Sequence, residues 1–103
     1  MDLFSLKGKT AVVTGALGLI GRKHCEALAA AGANVVVADL GAEQTAQFAA
    51  QLGDNHLGIE VDVTSKESLI DALNAVLNKY DSVDILVNNA AINDKFENPA
   101  MAK

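Results

Sequence analysis

A short apolar strand that runs directly into a glycine-rich turn constrains the fold of this chain more than any other feature. Residues 10–14 are small or β-branched, and Gly15, Gly18 and Gly21 follow at once. A helix is predicted to begin in this turn, and a second apolar run ends at Asp39, near the offset of about 20 residues at which such turns are followed by an acidic residue. Because glycines let the backbone approach a phosphate and a helix N-terminus attracts anions, the pattern predicts a dinucleotide site.

The rest of the chain alternates short β-branched runs with amphipathic segments. This pattern predicts an α/β fold with element order β-α-β-α-β-α-β, and right-handed crossovers make its sheet parallel. In a Rossmann-type, doubly wound sheet the strand order is 3-2-1-4, and we expect this chain to hold only part of such a sheet. The predicted strands are residues 10–14, 35–38, 57–61 and 85–88. The predicted helices begin in the glycine-rich turn, at Ala42 (ending at Leu52) and after Thr64.

Helical periodicity also predicts which side chains face the core. The first helix should bury Ile20, Ala27, Leu28 and Ala31. The third helix should begin with a capping box formed by Thr64 as N-cap and Glu67. Its apolar stripe comprises Leu69, Leu73, Val76, Leu77 and Tyr80.

Composition excludes several classes of function. The chain has 103 residues, enough for one domain, and a net charge of −5, which argues against a nucleic-acid partner. No apolar run reaches the roughly 20 residues of a membrane span, and the N-terminus lacks the pattern of a secretory signal. The single cysteine, Cys25, is expected to be packed in the first helix and fits a reducing compartment, so we expect a cytoplasmic protein. His24 and His56 have no partner at metal-ligand spacing, so no metal site is predicted.

Asp39 indicates which dinucleotide the site prefers. A carboxylate that accepts hydrogen bonds from the ribose hydroxyls repels the additional phosphate of NADP. Leu17 and Leu40, on either side of the predicted pocket, supply no compensating cation. The sequence therefore predicts NAD rather than NADP, with an ordinary turn acid before Gly41 as the alternative interpretation of Asp39.

Two further stretches end predicted strands on the same edge of the sheet. Asp62 can accept from an adenine amino group with Val63 against the ring, or it can simply mark the entry to the next helix. Asn89, Ala90 and Ala91 are small enough to let a nicotinamide ribose pass close to the backbone, although this stretch alone decides nothing.

Together these residues resemble the short-chain dehydrogenase/reductase family. The resemblance rests on the opening Leu6-Lys7-Gly8-Lys9-Thr10-Ala11-Val12-Val13-Thr14-Gly15, on Gly21 and Asp39, and on Asp62-Val63-Thr64 and Asn88-Asn89-Ala90-Ala91. It implies an oxidoreductase that interconverts a secondary alcohol and a carbonyl by hydride transfer, as a homo-oligomer. The cofactor-binding residues that follow are Gly15, Leu17, Gly18, Leu19, Ile20, Gly21, Asp39, Leu40, Asp62, Val63, Asn89, Ala90 and Ala91.

The sequence departs from the family pattern in two respects. The compact branch of the family has glycine where Leu19 stands, whereas a glycine at Gly18 is the habit of the extended, sugar-nucleotide-modifying branch. The family's chemistry also needs a serine and a tyrosine followed by a lysine four residues later. Tyr80 is the only tyrosine, and Asp84 stands four residues on, where it would raise the pKa of the phenol. We therefore predict no catalytic residue in this chain.

We interpret residues 1–103 as the dinucleotide-binding half of a truncated enzyme, catalytically incompetent alone, with residues 93–103 a loop or poorly ordered end. Two alternatives remain at this point. One is a stand-alone nucleotide-binding or regulatory module, and the other is an extended-branch sugar-nucleotide epimerase or dehydratase.

Overall fold

In the computed structural model, which describes residues 5–89, four parallel strands form one sheet in the order β3-β2-β1-β4. The strands are β1 (Thr10–Thr14), β2 (Asn34–Asp39), β3 (Leu57–Glu60) and β4 (Ile85–Asn88). The helices are α1 (Leu19–Ala30), α2 (Ala42–Leu52) and α3 (Lys66–Tyr80). The predicted partial Rossmann-type sheet is confirmed. The segment 93–103, predicted to be a loop or poorly ordered end, lies outside the described residues.

The core lies between the sheet and the helices α1 and α2. Alternate residues of the central strands, among them Val13, Val35 and Val37, are fully buried and pack with Cys25 of α1 and Phe48 of α2. Strands buried on both faces read as continuous apolar runs, which is why β2 contains three consecutive valines.

The predicted buried face of α1 is confirmed at Leu28, which packs against the core, but it is wrong at Ile20 and Ala27 because the helix is rotated. Gly21 and Cys25 are the residues that α1 buries, whereas Ile20 is 63% exposed and Ala27 is exposed. The physical reason is Gly21: an added Cβ at this position would lie 2.2 Å from the carbonyl oxygen of Gly15. The helix therefore packs Gly21, which has no side chain, against the strand–helix turn. Cys25, one turn later on the same face, is then buried in the core.

The predicted cap of α3 is displaced by one residue. Ser65, not Thr64, is the N-cap, and its hydroxyl accepts from the backbone N–H of Ser68 at 3.1 Å. Thr64 stands in the turn before the helix, where its backbone N–H and its hydroxyl donate to the Asp62 carboxylate at 2.9 and 2.6 Å. The Asp62 side chain thus holds Thr64 in a turn before the helix.

The apolar stripe of α3 is only partly covered within the described residues. Val76 is buried, but Leu73 and Leu69 are 47% and 40% exposed, and Leu86 of the facing strand is 67% exposed. These side chains line an apolar cleft of about 220 Å³ between α3 and the second face of the sheet. None of the helices within residues 5–89 is long and apolar enough to cross a membrane.

Cys25 should be unreactive towards thiol reagents until the chain unfolds. Burial raises the pKa of its thiol to about 11, so the nucleophilic thiolate is scarce at pH 8. We expect reaction with a chromogenic disulfide reagent to be at least about a hundredfold slower in the native chain than in denaturant, since two pKa units alone change the thiolate fraction by that factor. Because the sequence contains one cysteine, the colour reports only this site. Native and denatured rates of similar size would contradict the buried position.

Candidate cofactor-binding site

The glycine-rich turn joins β1 to α1 in a conformation that requires glycine at its start. Gly15 has φ of +64°, in the left-handed region that other residues rarely adopt. Its carbonyl oxygen accepts from the N–H of Gly18 at 3.2 Å, and Gly18 is the N-cap of α1. The turn therefore delivers the chain to the start of a helix at the carboxyl edge of β1.

The N-terminus of α1 is open to an anionic ligand. No side chain among the described residues caps it, and its first turn contains no acidic residue. Leu19 and Ile20, in that first turn, are 79% and 63% exposed. A helix start with free N–H groups and a positive dipole end can hold a phosphate.

Asp39 is joined directly to this turn. Its Oδ2 accepts from the backbone N–H of Leu17 at 2.9 Å, and its Oδ1 accepts from the N–H of Leu40 at 2.7 Å. The structure therefore brings together the glycine-rich turn and the acidic residue that the sequence pairs with it. Each carboxylate oxygen has capacity for a further hydrogen bond, as a ribose with two adjacent hydroxyls requires.

Arg22 is a residue that sequence reasoning missed. It stands next to Lys23 and reads as part of a solvated basic group, but it is half-buried. Its Nε donates to the carbonyl of Leu17 at 2.9 Å, and its guanidinium lies 4.6 Å from the centre of the Phe48 ring. The contact joins the turn to α2 across a sequence distance that no local pattern covers, so only the three-dimensional fold could find it.

Asp62 and Val63 follow β3 at the same edge of the sheet. Asp62 is exposed, and the Thr64 side chain and backbone N–H both donate to its Oδ1, which lowers the pKa of the carboxyl. Val63 is half-buried. Asp62 therefore has a structural role at the helix entry, and its exposed carboxylate remains able to accept from a ligand.

The end of β4 is tied to both neighbouring elements. The backbone N–H of Asn89 donates to the carbonyl of Thr14 at 3.0 Å, and its side-chain nitrogen lies 2.9 Å from Nδ1 of His24 on α1. The Thr14 hydroxyl donates to the Asn88 side chain at 2.7 Å. Asn89 is thus held beside the end of β1, whereas the predicted residues Ala90 and Ala91 lie outside the described residues.

Tyr80 takes part in packing at the other end of the sheet. Its hydroxyl donates to the carbonyl of Asn55 at 2.7 Å, and burial raises the pKa of the phenol. The expectation that Asp84 raises this pKa is wrong. The Asp84 carboxylate instead accepts from the N–H of Thr10 at 2.9 Å, at the start of β1.

Among residues 5–89, no three His, Cys, Asp or Glu side chains are grouped to hold a metal ion. What the site does offer is an open helix start, an adjacent carboxylate and polar strand ends along one edge of a parallel sheet. In open α/β sheets, ligands bind at this carboxyl edge, at the point where the strand order reverses, which here is between β1 and β4.

A sheet of order 3-2-1-4 with a glycine-rich turn after its first strand defines the class of Rossmann-like folds. Within that class, the family model described as short chain dehydrogenase matches residues 9–103. The chain belongs to this family, which confirms the resemblance seen in the sequence.

Individual relatives agree with this assignment. The chain is 42% identical over 89 residues to a sorbitol dehydrogenase of Cereibacter sphaeroides, covering 86% of this chain and 35% of that protein. It is 42% identical over 91 residues to the 3-oxoacyl-[acyl-carrier-protein] reductase FabG of Vibrio cholerae, covering 85% and 36%. A crystal structure of a hydroxysteroid dehydrogenase from Escherichia coli superposes with a TM-score of 0.80 at 38% identity, covering 87% and 38%. The chain thus spans little more than a third of the length of these relatives.

Proposed function

We propose that this chain is the dinucleotide-binding half of an oxidoreductase that interconverts a secondary alcohol and a carbonyl by hydride transfer. The observation that carries the proposal is the bond between Asp39 and the Leu17 N–H, which puts a ribose acceptor beside an open helix N-terminus. Family membership and the dehydrogenase and reductase names of the relatives support hydride transfer rather than sugar-nucleotide chemistry.

The proposed contacts follow the strand order of the sheet, so that successive parts of a nicotinamide dinucleotide lie at the ends of β3, β2, β1 and β4. The turn from Gly15 to Gly21 would hold the pyrophosphate, Asp39 and Leu40 the adenosine ribose, and Asp62 with Val63 the adenine. Asn89, with the two alanines that follow it, would flank the nicotinamide half. The nicotinamide ring supplies the hydride chemistry when the cofactor is bound.

The groups that move the proton are proposed to come from sequence other than these 103 residues. The chain has one tyrosine, Tyr80, with no lysine four positions later, and its hydroxyl is bonded to the Asn55 carbonyl. We therefore expect the isolated chain to bind cofactor without turnover. In the complete protein we expect a small alcohol or carbonyl substrate, a homo-oligomer and a cytoplasmic location.

NAD should bind to the chain more tightly than NADP. The substitution Asp39→Ala should reduce the difference between the two affinities. Removing the carboxylate deletes hydrogen bonds to the ribose, and bonds to a charged group contribute about 1.5–3 kcal/mol each. Loss of one such bond should weaken NAD binding by about 10- to 100-fold. The affinity for NADP should fall less, because the same substitution relieves charge repulsion. Isothermal titration calorimetry with each dinucleotide measures both affinities.

Asp54→Ala is the matched control for this titration. It removes the same charge from an exposed turn that precedes β3, at the opposite edge of the sheet. It should leave both affinities unchanged. Tighter binding of NADP than of NAD by the unmodified chain would contradict the assignment of Asp39, and binding of neither would contradict the proposed function.

A further inference from the structure

A second carboxylate lies beside Asp39 on the neighbouring strand. In the parallel register of β2 and β3, Glu60 is the partner of Asp39. Adjacent strands lie about 4.8 Å apart, and paired residues project to the same face of a sheet. The Glu60 side chain therefore leaves the sheet at the same edge and on the same side as the carboxylate proposed to meet the ribose.

Glu60 is held in this place by the turn between β2 and α2. Its Oε2 accepts from the backbone N–H of Gly41 at 3.2 Å, and Gly41 is the N-cap of α2. The preceding N–H, that of Leu40, donates to Asp39 at 2.7 Å. Two consecutive backbone donors at a helix start, which would otherwise suit a phosphate, are thus already bonded to carboxylates of the chain itself.

The stretch of sequence that contains these two acids carries no positive charge to offset them. The sequence contains no lysine or arginine between Lys23 and Lys66, and Glu43 adds a third acid in the first turn of α2. Arg22, the cation bonded to the glycine-rich turn, donates to the Leu17 carbonyl and is stacked on the Phe48 ring.

We propose that Glu60 is a second specificity-determining residue, which excludes a phosphate from the 2′ position of the adenosine ribose. The inference rests on the proposed dinucleotide function of the same site. Glu60 acts by its charge, which the bond to the Gly41 N–H holds in place, whereas Asp39 also contacts the ribose itself. The site is therefore selective for NAD through two carboxylates from adjacent strands.

The substitution Glu60→Gln separates charge from geometry, because the amide oxygen of glutamine can still accept from the Gly41 N–H. We expect NADP to bind about fivefold more tightly to Glu60→Gln than to the unmodified chain, which is the size of a screened interaction between near neighbours. Affinity for NAD should change less than about twofold. Calorimetric titration of the full 103-residue chain with each dinucleotide provides the comparison.

Ionic strength supplies a readout that a purely structural role would not move. The gain in NADP affinity should be largest near 0.01 M salt and should largely vanish near 1 M, because the screening length falls from about 30 Å to about 3 Å. Glu26→Gln, which removes the same charge from the exposed side of α1, should leave the ratio of the two affinities unchanged.

The outcomes distinguish this inference from the proposed function. If the unmodified chain binds neither dinucleotide, the proposed function fails and Glu60 has no selectivity to provide. If the chain binds NAD but Glu60→Gln leaves the NADP to NAD ratio unchanged, the role of Glu60 is wrong. If Glu60→Gln weakens the binding of NAD and NADP equally, and salt does not change this effect, Glu60 only shapes the turn and the inference is overturned.

Discussion

Gly21→Ala should remove much of the stability of this chain and abolish dinucleotide binding. The new Cβ would lie 2.2 Å from the Gly15 carbonyl oxygen and 2.8 Å from the Cα of Ala16, and both are backbone atoms that cannot rotate away. Relief requires α1 to shift away from the strand–helix turn. Such overpacking costs about 1–3 kcal/mol and occasionally more, and we expect a value at or above about 3 kcal/mol. Urea unfolding followed by circular dichroism measures it.

Gly18→Ala is the control for this prediction. An added Cβ there would meet only the Gly15 carbonyl, at an ordinary contact distance of 3.5 Å, and φ at Gly18 is −72°. The free energy of unfolding of the variant should lie within about 0.5 kcal/mol of that of the original chain, as expected for a substitution without a steric conflict. If both variants unfold at the same urea concentration as the original, the close approach of α1 to the turn is wrong.

Gly58→Ala, in the edge strand β3, should lower the free energy of unfolding by a similar amount. Gly58 lies in β3 beneath α2, and an added Cβ would fall 2.3 Å from the carbonyl carbon and oxygen of Thr45 and 2.5 Å from the nitrogen of Ala46. Because α2 contributes buried Phe48 to the core, lifting the helix uncovers apolar surface as well. We expect about 3 kcal/mol of destabilisation, measured as a lower urea midpoint with an unchanged slope.

Gly8→Ala separates steric overlap from the loss of glycine's flexibility. Gly8 has φ of +84°, but no atom lies within 4 Å of its added Cβ. The cost should be limited to the backbone strain of about 1–2 kcal/mol for an L-residue in this region. A Gly58→Ala chain that loses less stability than Gly8→Ala would show that α2 does not rest on the backbone of β3.

The strand order and the partnership of the glycine-rich turn with Asp39 were predictable because both follow from local patterns. Runs of valine mark strands buried on both faces, and the glycine-rich turn with its acidic partner favours the doubly wound arrangement in which the strand order is 3-2-1-4. The offset between Gly21 and Asp39 reflects the length of one helix and one strand. The bond between Leu17 and Asp39 realises that relation in the structure.

What the sequence did not predict depends on contacts between distant residues or on competition between neighbours. The rotation of α1 is set by the backbone that Gly21 approaches, which apolar periodicity does not contain. The capping-box pattern selects Thr64, yet the Asp62 carboxylate accepts from the N–H and hydroxyl of Thr64 and holds it before the helix, so Ser65 caps α3 instead. The stacking of Arg22 on Phe48 joins two helices, and no spacing rule connects them.

Both backbone polar groups of Leu17 are hydrogen-bonded to side chains, which has a consequence for the rate of binding. Its N–H is fixed by the acid of β2, and its carbonyl is fixed by the arginine of α1, so the backbone between them has little freedom left to lose. A ligand that meets such a preformed cradle forfeits little entropy on arrival. Binding of the pyrophosphate at this turn should accordingly be fast, because the backbone there needs no rearrangement after encounter.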